Sequence, residues 1–317
     1  MNLPTLPAHR LTARPRERDW LIDQLWGDEA VGIVGGEPKS CKSFLALDIA
    51  VSVAGGVPCL RRFQPMQSGR VLLFAAEDAL HVVRQRLAGI AAAAGRELVD
   101  LDIHVITAPS VRLDVERDRD ALTQTITELR PKLLVLDPFV RLHRVDENLS
   151  GEVAPLLAYL RELQRRFHLA VVLVHHARKG GAKMRGGQAL RGSSEFHAWG
   201  DSNLYVRRHG DQLTLTVEHR AAASINAVSL HLAIDGDAVA LAAIDRAAET
   251  ETATPAAAAP TLGQKIEAQL EVAASPLSAA ALRKLCRSRH ATVTAALADL
   301  VAAGRVQKTP TGYAVAR

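Results

Sequence analysis

A lysine and a serine, Lys42 and Ser43, stand together at the end of a short segment of small and polar residues. The segment follows an apolar run at 30–34, precedes another that begins at Phe44, and reads Gly36-Glu37-Pro38-Lys39-Ser40-Cys41-Lys42-Ser43. This order predicts a strand, a tight loop and a helix, as in the phosphate-binding motif G-x-x-x-x-G-K-[ST]. Backbone N–H groups and the helix N-terminus would surround the phosphates of ATP, Lys42 would reach the β- and γ-phosphates, and Ser43 would bind Mg²⁺.

Cys41 stands where that motif has its second glycine. The cysteine side chain is small, and near the start of the helix we expect a negative φ, so no left-handed strain is expected there. A thiol at a helix N-terminus can have a lowered pKa, which makes redox control through Cys41 a hypothesis. The alternative for the whole segment is a glycine-rich turn that binds nothing.

Acidic side chains end two predicted strands further along the chain. Strand 71–76 is followed by Glu77 and Asp78, and strand 132–136 is followed by Asp137. In an open α/β sheet, ligands bind beyond the carboxyl ends of the strands. Glu77 could therefore deprotonate an attacking water, and Asp137 matches the Walker-B acid that holds Mg²⁺. The alternative for the first pair is structural, with Asp78 capping the next helix.

Histidines end a third predicted strand, 169–175, which finishes in His175 and is followed by His176. A histidine at this edge could contact the γ-phosphate and report hydrolysis to the loop that follows. The alternative is a structural pair of histidines at the sheet edge. Zinc is not expected here, because no ligand cluster surrounds the two residues.

Apolar strands alternate with helical patterns between residues 30 and 177, which predicts an α/β fold with a mostly parallel sheet covered on both faces. Short strands separated by turn residues then predict an antiparallel extension of this sheet. The expected strands are 31–35, 71–76, 103–107, 132–137, 169–175, 202–208, 213–219, 228–234 and 238–244, and the expected helices are 42–54, 78–94, 118–129 and 150–166.

Composition divides the chain into four regions. Residues 1–29 are predicted to form an N-terminal arm that ends in an amphipathic segment, and 30–245 the α/β domain. Residues 246–261 are a low-complexity linker rich in Ala, Pro and Thr. Residues 262–317 show three helical patterns followed by a hairpin, which predicts a winged-helix domain.

The chain of 317 residues is 48% hydrophobic and 4% aromatic, so it can bury a large aliphatic core. Its cysteines, Cys41, Cys59 and Cys286, have neither metal-binding nor disulfide spacing, which suits a reducing cytoplasm. No long uncharged apolar run is present, so we expect no membrane span and a cytoplasmic protein.

Four motifs, taken in order, resemble those of the RepA-like plasmid helicases, which belong to the RecA/DnaB-type ATPases. They are Gly36–Ser43, Phe74–Asp78, Leu133–Pro138 and Val172–Lys179, and the resemblance covers roughly residues 18–245. It implies a RecA-like P-loop core that hydrolyses ATP with Mg²⁺ and commonly assembles as a ring hexamer with ATP between subunits. Cys41 and the C-terminal region depart from the family.

The resemblance also implies roles for individual side chains. The phosphate, metal, catalytic-glutamate, Walker-B and sensor positions of the family match Lys42, Ser43, Glu77, Asp137 and His176, with His175 as a second choice for the sensor. The family carries an arginine finger on a strand after a mobile loop, and Arg207, with Arg208 beside it, matches that position. Such an arginine, supplied across a subunit interface, stabilises charge in the transition state of phosphoryl transfer.

A glycine-rich loop at 178–194 carries five cations and no acid: Arg178, Lys179, Lys183, Arg185 and Arg191. In the ring ATPases that the chain resembles, the loop at this place faces the central channel and touches single-stranded DNA. A flexible basic loop suits a phosphate backbone and carries no sequence code. The alternative is an ordinary solvated loop, or one that packs against a neighbouring subunit.

The C-terminal region 262–317 is basic, as is the whole chain with its net charge of +5. Arg287 and Arg289 lie at the entry to its third predicted helix, the edge that meets the major groove in a helix-turn-helix. Duplex DNA is therefore a candidate partner of this region. The alternative is a protein-docking module.

Two functions remain open. The first is a Mg²⁺-dependent ATPase acting on DNA, a RepA-like helicase or translocase of a mobile element that works as a ring of identical subunits. The second is an ATP-switched DNA-binding regulator or loader with slow turnover, whose C-terminal region chooses the site. A third hypothesis, a small-molecule kinase, is weaker than these two because no substrate-pocket motif supports it.

Overall fold

The computed structural model describes residues 3–11, 19–176, 195–210, 212–244, 262–273, 275–286 and 290–316. It separates into two compact units, Met1–Asp245 and Arg246–Arg317. The predicted linker 246–261 lies outside the described residues.

A nine-stranded sheet forms the centre of the first unit, with the order β11-β10-β9-β8-β3-β7-β6-β4-β5. The strands from β8 to β5 in this order pair in parallel, whereas β9, β10 and β11 pair antiparallel. The mixed sheet predicted from the sequence is thereby confirmed. In chain order the strands are β1 (Trp20–Ile22), β2 (Trp26–Gly27), β3 (Val31–Gly36), β4 (Val71–Ala75), β5 (Ile103–Val105), β6 (Leu133–Asp137), β7 (Ala170–His176), β8 (Ser202–His209), β9 (Gln212–His219), β10 (Val228–Asp235) and β11 (Ala238–Ile244).

Helices cover both faces of this sheet, which is why its central strands are apolar without alternation. The first two helices pack in one buried cluster, and the next three pack in the other. In the described ranges, no helix is both long and apolar enough to cross a membrane. The helices are α1 (Lys42–Gly55), α2 (Leu80–Ala93), α3 (Glu116–Leu129), α4 (Ser150–Phe167) and α5 (Glu195–Trp199).

Helix α1 is enclosed by protein, and every residue from Leu45 to Val53 is buried. The antiparallel extension curls over it, because β11 lies against both α1 and α2. Within this apolar shell Asp48 is fully buried, forms an ion pair with Arg61 and accepts a hydrogen bond from the N–H of Leu60 at 2.5 Å. A buried carboxylate needs such partners, because leaving its charge unpaired would lower the free energy of unfolding by about 3–5 kcal/mol.

The segment at 20–26, predicted as the amphipathic end of an arm, forms the β1–β2 hairpin and packs into the core of the first unit. The Leu21 and Trp26 side chains are fully buried. The hairpin is tied to the sheet by a chain of hydrogen bonds. The N–H of Gly27 donates to Oγ of Ser202 at 3.0 Å, Ser202 contacts Nδ1 of His219 at 3.1 Å, and Nε2 of His219 lies 3.1 Å from the carbonyl oxygen of Gln24.

The second unit has three helices and a hairpin, in the order expected from the sequence. They are α6 (Leu262–Val272), α7 (Ala279–Leu285), α8 (His290–Ala302), β12 (Val306–Thr309) and β13 (Gly312–Val315). Its small core is aliphatic and consists of Ile266, Leu270, Leu282, Val293, Leu297, Leu300 and Val306. Leu277 pairs with Tyr313 through backbone hydrogen bonds of 3.0 and 2.9 Å, which tie the connection before α7 to the hairpin.

The close approach of β3 to β8 generates a first prediction. A Cβ atom at Gly32 would lie 1.6 Å from the carbonyl oxygen of Ser202, so Gly32→Ala must push the two central strands apart. We expect this change to lower the free energy of unfolding by about 2 kcal/mol or more. Urea denaturation measures it. The control is Gly151→Ala on α4, where a Cβ meets no atom within 4 Å; equal stability of the two variants would contradict the prediction.

Candidate nucleotide site

Four separate parts of the sequence meet in one cavity at the carboxyl ends of β3, β4, β6 and β7. Its volume is about 330 Å³. The structure thus brings together side chains predicted from distant motifs, along with several that were not predicted. The lining residues are Lys39, Ser40, Cys41, Lys42, Ser43, Phe44, Ala75, Glu77, Asp78, Arg86, Asp137 and His176.

The phosphate loop begins at Gly36, the last residue of β3. A Cβ atom at this position would lie 2.3 Å from the carbonyl oxygen of Val206 on β8, so the first glycine of the motif is required by packing. After the loop, α1 begins at Lys42. The Lys42 side chain is 5% exposed, and its Nζ donates a hydrogen bond to the carbonyl oxygen of Glu37 at 2.7 Å. Burial lowers the pKa of Lys42, and the nearby Asp137 carboxylate opposes this shift.

The expected negative φ of Cys41 is wrong. The residue has φ 63° and ψ 26°, in the left-handed region, and it directly precedes α1. Its carbonyl oxygen accepts the N–H of Leu45 at 3.0 Å, so Cys41 must turn the chain into the helix while making the first helical hydrogen bond. Glycine adopts this conformation without a steric penalty, whereas a side chain costs roughly 1–2 kcal/mol. The motif therefore has glycine at this position because the backbone is left-handed there, and the Cys41 side chain destabilises the loop.

Asp137 ends β6 inside the cavity and is 8% exposed. Its pKa is raised to about 6, chiefly by burial; the hydrogen bond from the Ser43 hydroxyl opposes this shift, and the carboxylates of Asp78 and Glu77 contribute to it. A buried carboxylate beside a serine hydroxyl suits a divalent cation, and Ser43 and Asp137 are the residues that would hold Mg²⁺. Among the described residues, no group of three or more His, Cys, Asp or Glu could hold a metal ion. Mg²⁺ needs no such cage, because it takes phosphate and water oxygens as well.

Glu77 and Asp78 both point into the cavity, each with an arginine partner. Oε1 of Glu77 accepts Nε of Arg141 at 3.0 Å, and Asp78 forms an ion pair with Arg86 on α2. The alternative in which Asp78 caps α2 is wrong. The capping residue is Ala79, and no side chain hydrogen bonds to that helix end.

Phe44 and Arg86 line the cavity although the sequence reasoning missed them. The guanidinium of Arg86 lies over the Phe44 ring, with Cζ 5.4 Å from the ring centroid. Phe44 follows Ser43 directly, so its position next to the phosphate-binding motif could have indicated that it lies near the cavity. No local pattern distinguishes Arg86 from Arg84, the other arginine of α2, because the register of that helix against the sheet decides which one reaches the cavity.

The two histidines at the end of β7 point to opposite faces, as consecutive strand residues must. His176 lines the cavity. His175 is 1% exposed on the other face, where its ring stacks on Phe196 at 4.3 Å and 21° between planes. Of the two sensor candidates, only His176 is brought to the cavity.

Arg207 and Arg208 are consecutive residues of β8 and likewise point to opposite faces of the sheet. Neither residue is among those that line the cavity, and Arg207 is half-buried and lies opposite Thr214 of β9. Nη2 of Arg208 lies 3.5 Å from Sγ of Cys41 in the phosphate loop. The predicted DNA-contacting residues lie outside the described residues; they are Lys179, Lys183, Arg185, Arg191, Arg287 and Arg289.

The left-handed backbone at position 41 generates a second prediction. Cys41→Gly relieves the backbone penalty, so we expect its free energy of unfolding to stay equal to that of wild type or rise. Cys41→Val places a β-branched side chain in the same conformation and should be about 1–2 kcal/mol less stable than the glycine variant. Urea denaturation of both variants measures this difference, and a valine variant as stable as the glycine variant would contradict the left-handed geometry.

Comparison with known proteins agrees with this geometry. Residues 1–182, more than half of the chain, match a family model described as an AAA domain (AAA_25). A DnaB-like replicative helicase, solved in a study of its interactions with primase, is 13% identical with a TM-score of 0.52; the match covers 67% of this chain and 57% of that one. A KaiC-like protein from the archaeon Pyrococcus horikoshii OT3 is 12% identical with a TM-score of 0.50, covering 71% and 94%.

The RadB recombinase is 14% identical with a TM-score of 0.50, and the match covers 69% of this chain and 92% of that one. At such identities the likeness shows the fold alone, a RecA-like α/β core. The chain spans little more than half of the DnaB-like helicase. The family match rests on the sequence itself and includes the phosphate loop, Glu77 and Asp137. The chain therefore belongs to the AAA domain family (AAA_25) and has a RecA-like core with a phosphate loop.

Proposed function

We propose that this protein is a Mg²⁺-dependent ATPase that acts on DNA, as a RepA-like helicase or translocase. The observation that carries the proposal is the meeting of Lys42, Ser43, Asp137 and Glu77 in one cavity at the carboxyl ends of the strands. These residue types are the ones that phosphoryl transfer to water needs: a cation for the phosphates, ligands for the metal, and a base for the water.

The loop residues bind and orient the nucleotide. The buried Lys42 ammonium and the N–H groups at the start of α1 would hold the β- and γ-phosphates, with Lys42 exchanging its contact to the Glu37 carbonyl oxygen for phosphate oxygens. Ser43 and Asp137 would hold Mg²⁺, which supplies charge neutralisation at the phosphates when it is bound.

Glu77 is proposed as the general base. Its carboxylate is 41% exposed and is held by Arg141, so it is open to water and fixed in direction. In this reaction a water oxygen attacks the γ-phosphorus, the bond from that phosphorus to the β–γ bridging oxygen breaks, and the water proton passes to Glu77. ADP leaves with the electron pair of the broken bond. His176, which shares the cavity, is proposed as the sensor of the γ-phosphate.

The arginine finger is proposed to be Arg207, acting on the nucleotide of a neighbouring copy. Two observations support this. Arg207 lies opposite Thr214 of β9, on the face of the sheet that does not carry α1, and it matches the finger position of the RepA-like proteins that the sequence resembles. A ring, with six subunits favoured, would place each finger at the next cavity.

DNA contact is proposed at two places. The basic loop 178–194 directly follows β7, which carries His176 into the cavity, so hydrolysis could move it along single-stranded DNA. The second unit, which has three helices and a hairpin, is proposed to be a winged helix that binds duplex DNA through Arg287 and Arg289.

A second function is favoured by one specific feature, the strained Cys41 in the phosphate loop. Slow turnover suits an ATP-switched regulator or loader, in which the second unit selects a duplex site. Indifference of hydrolysis to single strands, together with sequence-selective duplex binding, would favour this alternative.

The proposal predicts ATP hydrolysis that single-stranded DNA stimulates. Lys42→Ala removes the phosphate cation and should lower the turnover number by at least about a hundredfold. The triple change of Lys183, Arg185 and Arg191 to Ala should leave basal hydrolysis in place and abolish the stimulation. A steady-state phosphate-release assay with and without a single-stranded oligonucleotide measures both. Full turnover by Lys42→Ala would refute the nucleotide site, and stimulation retained by the triple variant would refute the DNA-contacting loop.

The trans finger predicts complementation between two inactive variants. Arg207→Ala should lower the turnover number by about a thousandfold and leave ATP binding largely intact. When it is co-assembled with Lys42→Ala, the Lys42→Ala subunits supply Arg207 to intact phosphate loops, so part of the turnover should return. A mixture that stays as inactive as its two components would contradict a finger acting in trans.

A further inference from the structure

Arg208 lies beside the phosphate loop of its own chain, and the sheet fixes it there. β8 pairs in parallel with β3, and Val206 is the residue opposite Gly36, where β3 ends. Residue 208 is therefore carried past the end of β3, alongside the loop that follows. The absence of a side chain at Gly36 lets the two backbones approach closely at this point.

Strand alternation gives Arg208 the same face of the sheet as Val206. That face holds α1, because Val206 and Leu213, the residue opposite Arg208 on β9, belong to the buried cluster that contains α1. Arg207 lies on the other face. The contact of 3.5 Å between Nη2 of Arg208 and Sγ of Cys41 agrees with this placement.

The Arg208 side chain is exposed and extends to the loop without an acidic partner in the part of the chain that the structure describes. Two other arginines near the cavity differ, since Arg86 is paired with Asp78 and Arg141 with Glu77. The guanidinium of Arg208 has several N–H donors, and within the described ranges the acceptor that it contacts is the weak one of the Cys41 thiol. An arginine in this state is suited to phosphate oxygens, to which its planar fork donates strong hydrogen bonds.

We propose that Arg208 is a nucleotide-binding residue in cis, which donates to the phosphates of the ATP held by its own phosphate loop. The inference rests on the proposed ATPase function and adds a division of labour between two consecutive residues. Arg208 serves the nucleotide of its own chain, and Arg207 serves that of a neighbour. When ATP binds, the guanidinium exchanges the thiol of Cys41 for phosphate oxygens.

Nucleotide binding by the full-length chain tests the proposal. Dissociation constants for ATP, ADP and AMP, each with Mg²⁺, are measured by calorimetry for wild type and Arg208→Ala. We expect ATP and ADP to bind about tenfold more weakly to the variant, as for the loss of one charge-assisted hydrogen bond, and AMP to change by less than about twofold. Unchanged constants for all three nucleotides would overturn the proposal, as would an equal loss for AMP.

Two controls separate phosphate binding from other effects of the substitution. Arg165→Ala removes an exposed arginine of α4 and should leave all three constants unchanged. If Arg208 only supported the loop through its contact with Cys41, the effect of Arg208→Ala on nucleotide binding would disappear once the thiol is removed. The comparison is therefore repeated in a Cys41→Gly background, where the tenfold ratio should persist; its disappearance would mean that Arg208 acts through Cys41.

Subunit mixing separates action in cis from action in trans. If the protein is monomeric in the assay, the change in the dissociation constants is already an effect in cis. If it is oligomeric, ATP should still bind about tenfold more weakly to Arg208→Ala subunits that are co-assembled with Lys42→Ala subunits, and recovery of the wild-type dissociation constant would assign Arg208 to the neighbour's site. Failure of the wild-type chain to bind ATP would refute the proposed function itself, whereas normal binding by wild type and Arg208→Ala alike would refute only the role of Arg208.

Discussion

The contact between β3 and β8 is the constraint on which the rest of the molecule depends. Neither residue 32 nor residue 36 can carry a side chain, because a Cβ at Gly32 or Gly36 would overlap the backbone of β8. The short distance between the backbones of β3 and β8 fixes the position at which the phosphate loop starts. It also fixes which residues of β8 lie beside that loop, so the geometry of the nucleotide site is set by backbone packing before any functional side chain takes part.

The helix that follows the loop is held just as firmly. α1 is surrounded by the sheet, by α2 and by the curled strand β11, and its buried Asp48 is tied to Arg61 and Leu60. A helix enclosed in this way cannot shift along its axis without breaking packing on several sides. The N–H groups at its start are consequently presented at a fixed position relative to Asp137 and Glu77, whose strands belong to the same sheet.

Much of this arrangement could be predicted from the sequence, because its signals are local. Apolar strands that end in Glu77, Asp137 and His176 identify the edge at which a ligand binds, and the eight-residue loop identifies the kind of ligand. The φ of Cys41 could not be predicted, since it depends on how sharply the chain must turn to enter a helix whose position is set elsewhere. The contribution of Arg86 was missed for a similar reason, because helix register against a sheet is a tertiary property. The β1–β2 hairpin could not be predicted because its strands are too short to show the alternation of apolar and polar residues that is typical of a strand.

The curl of the sheet also limits how much backbone its edges expose. At one end, the edge strand β5 has three residues. At the other end, α2 approaches the backbone of β11 so closely that a Cβ at Gly89 would lie 3.0 Å from the carbonyl oxygen of Asp237, and the N–H of Ala243 donates to Leu60 at 3.0 Å. Among the described residues, the edge strand is therefore short at one end of the sheet and partly covered at the other, which limits the free backbone for strand addition. The same two features disfavour edge-to-edge pairing of two copies of the sheet.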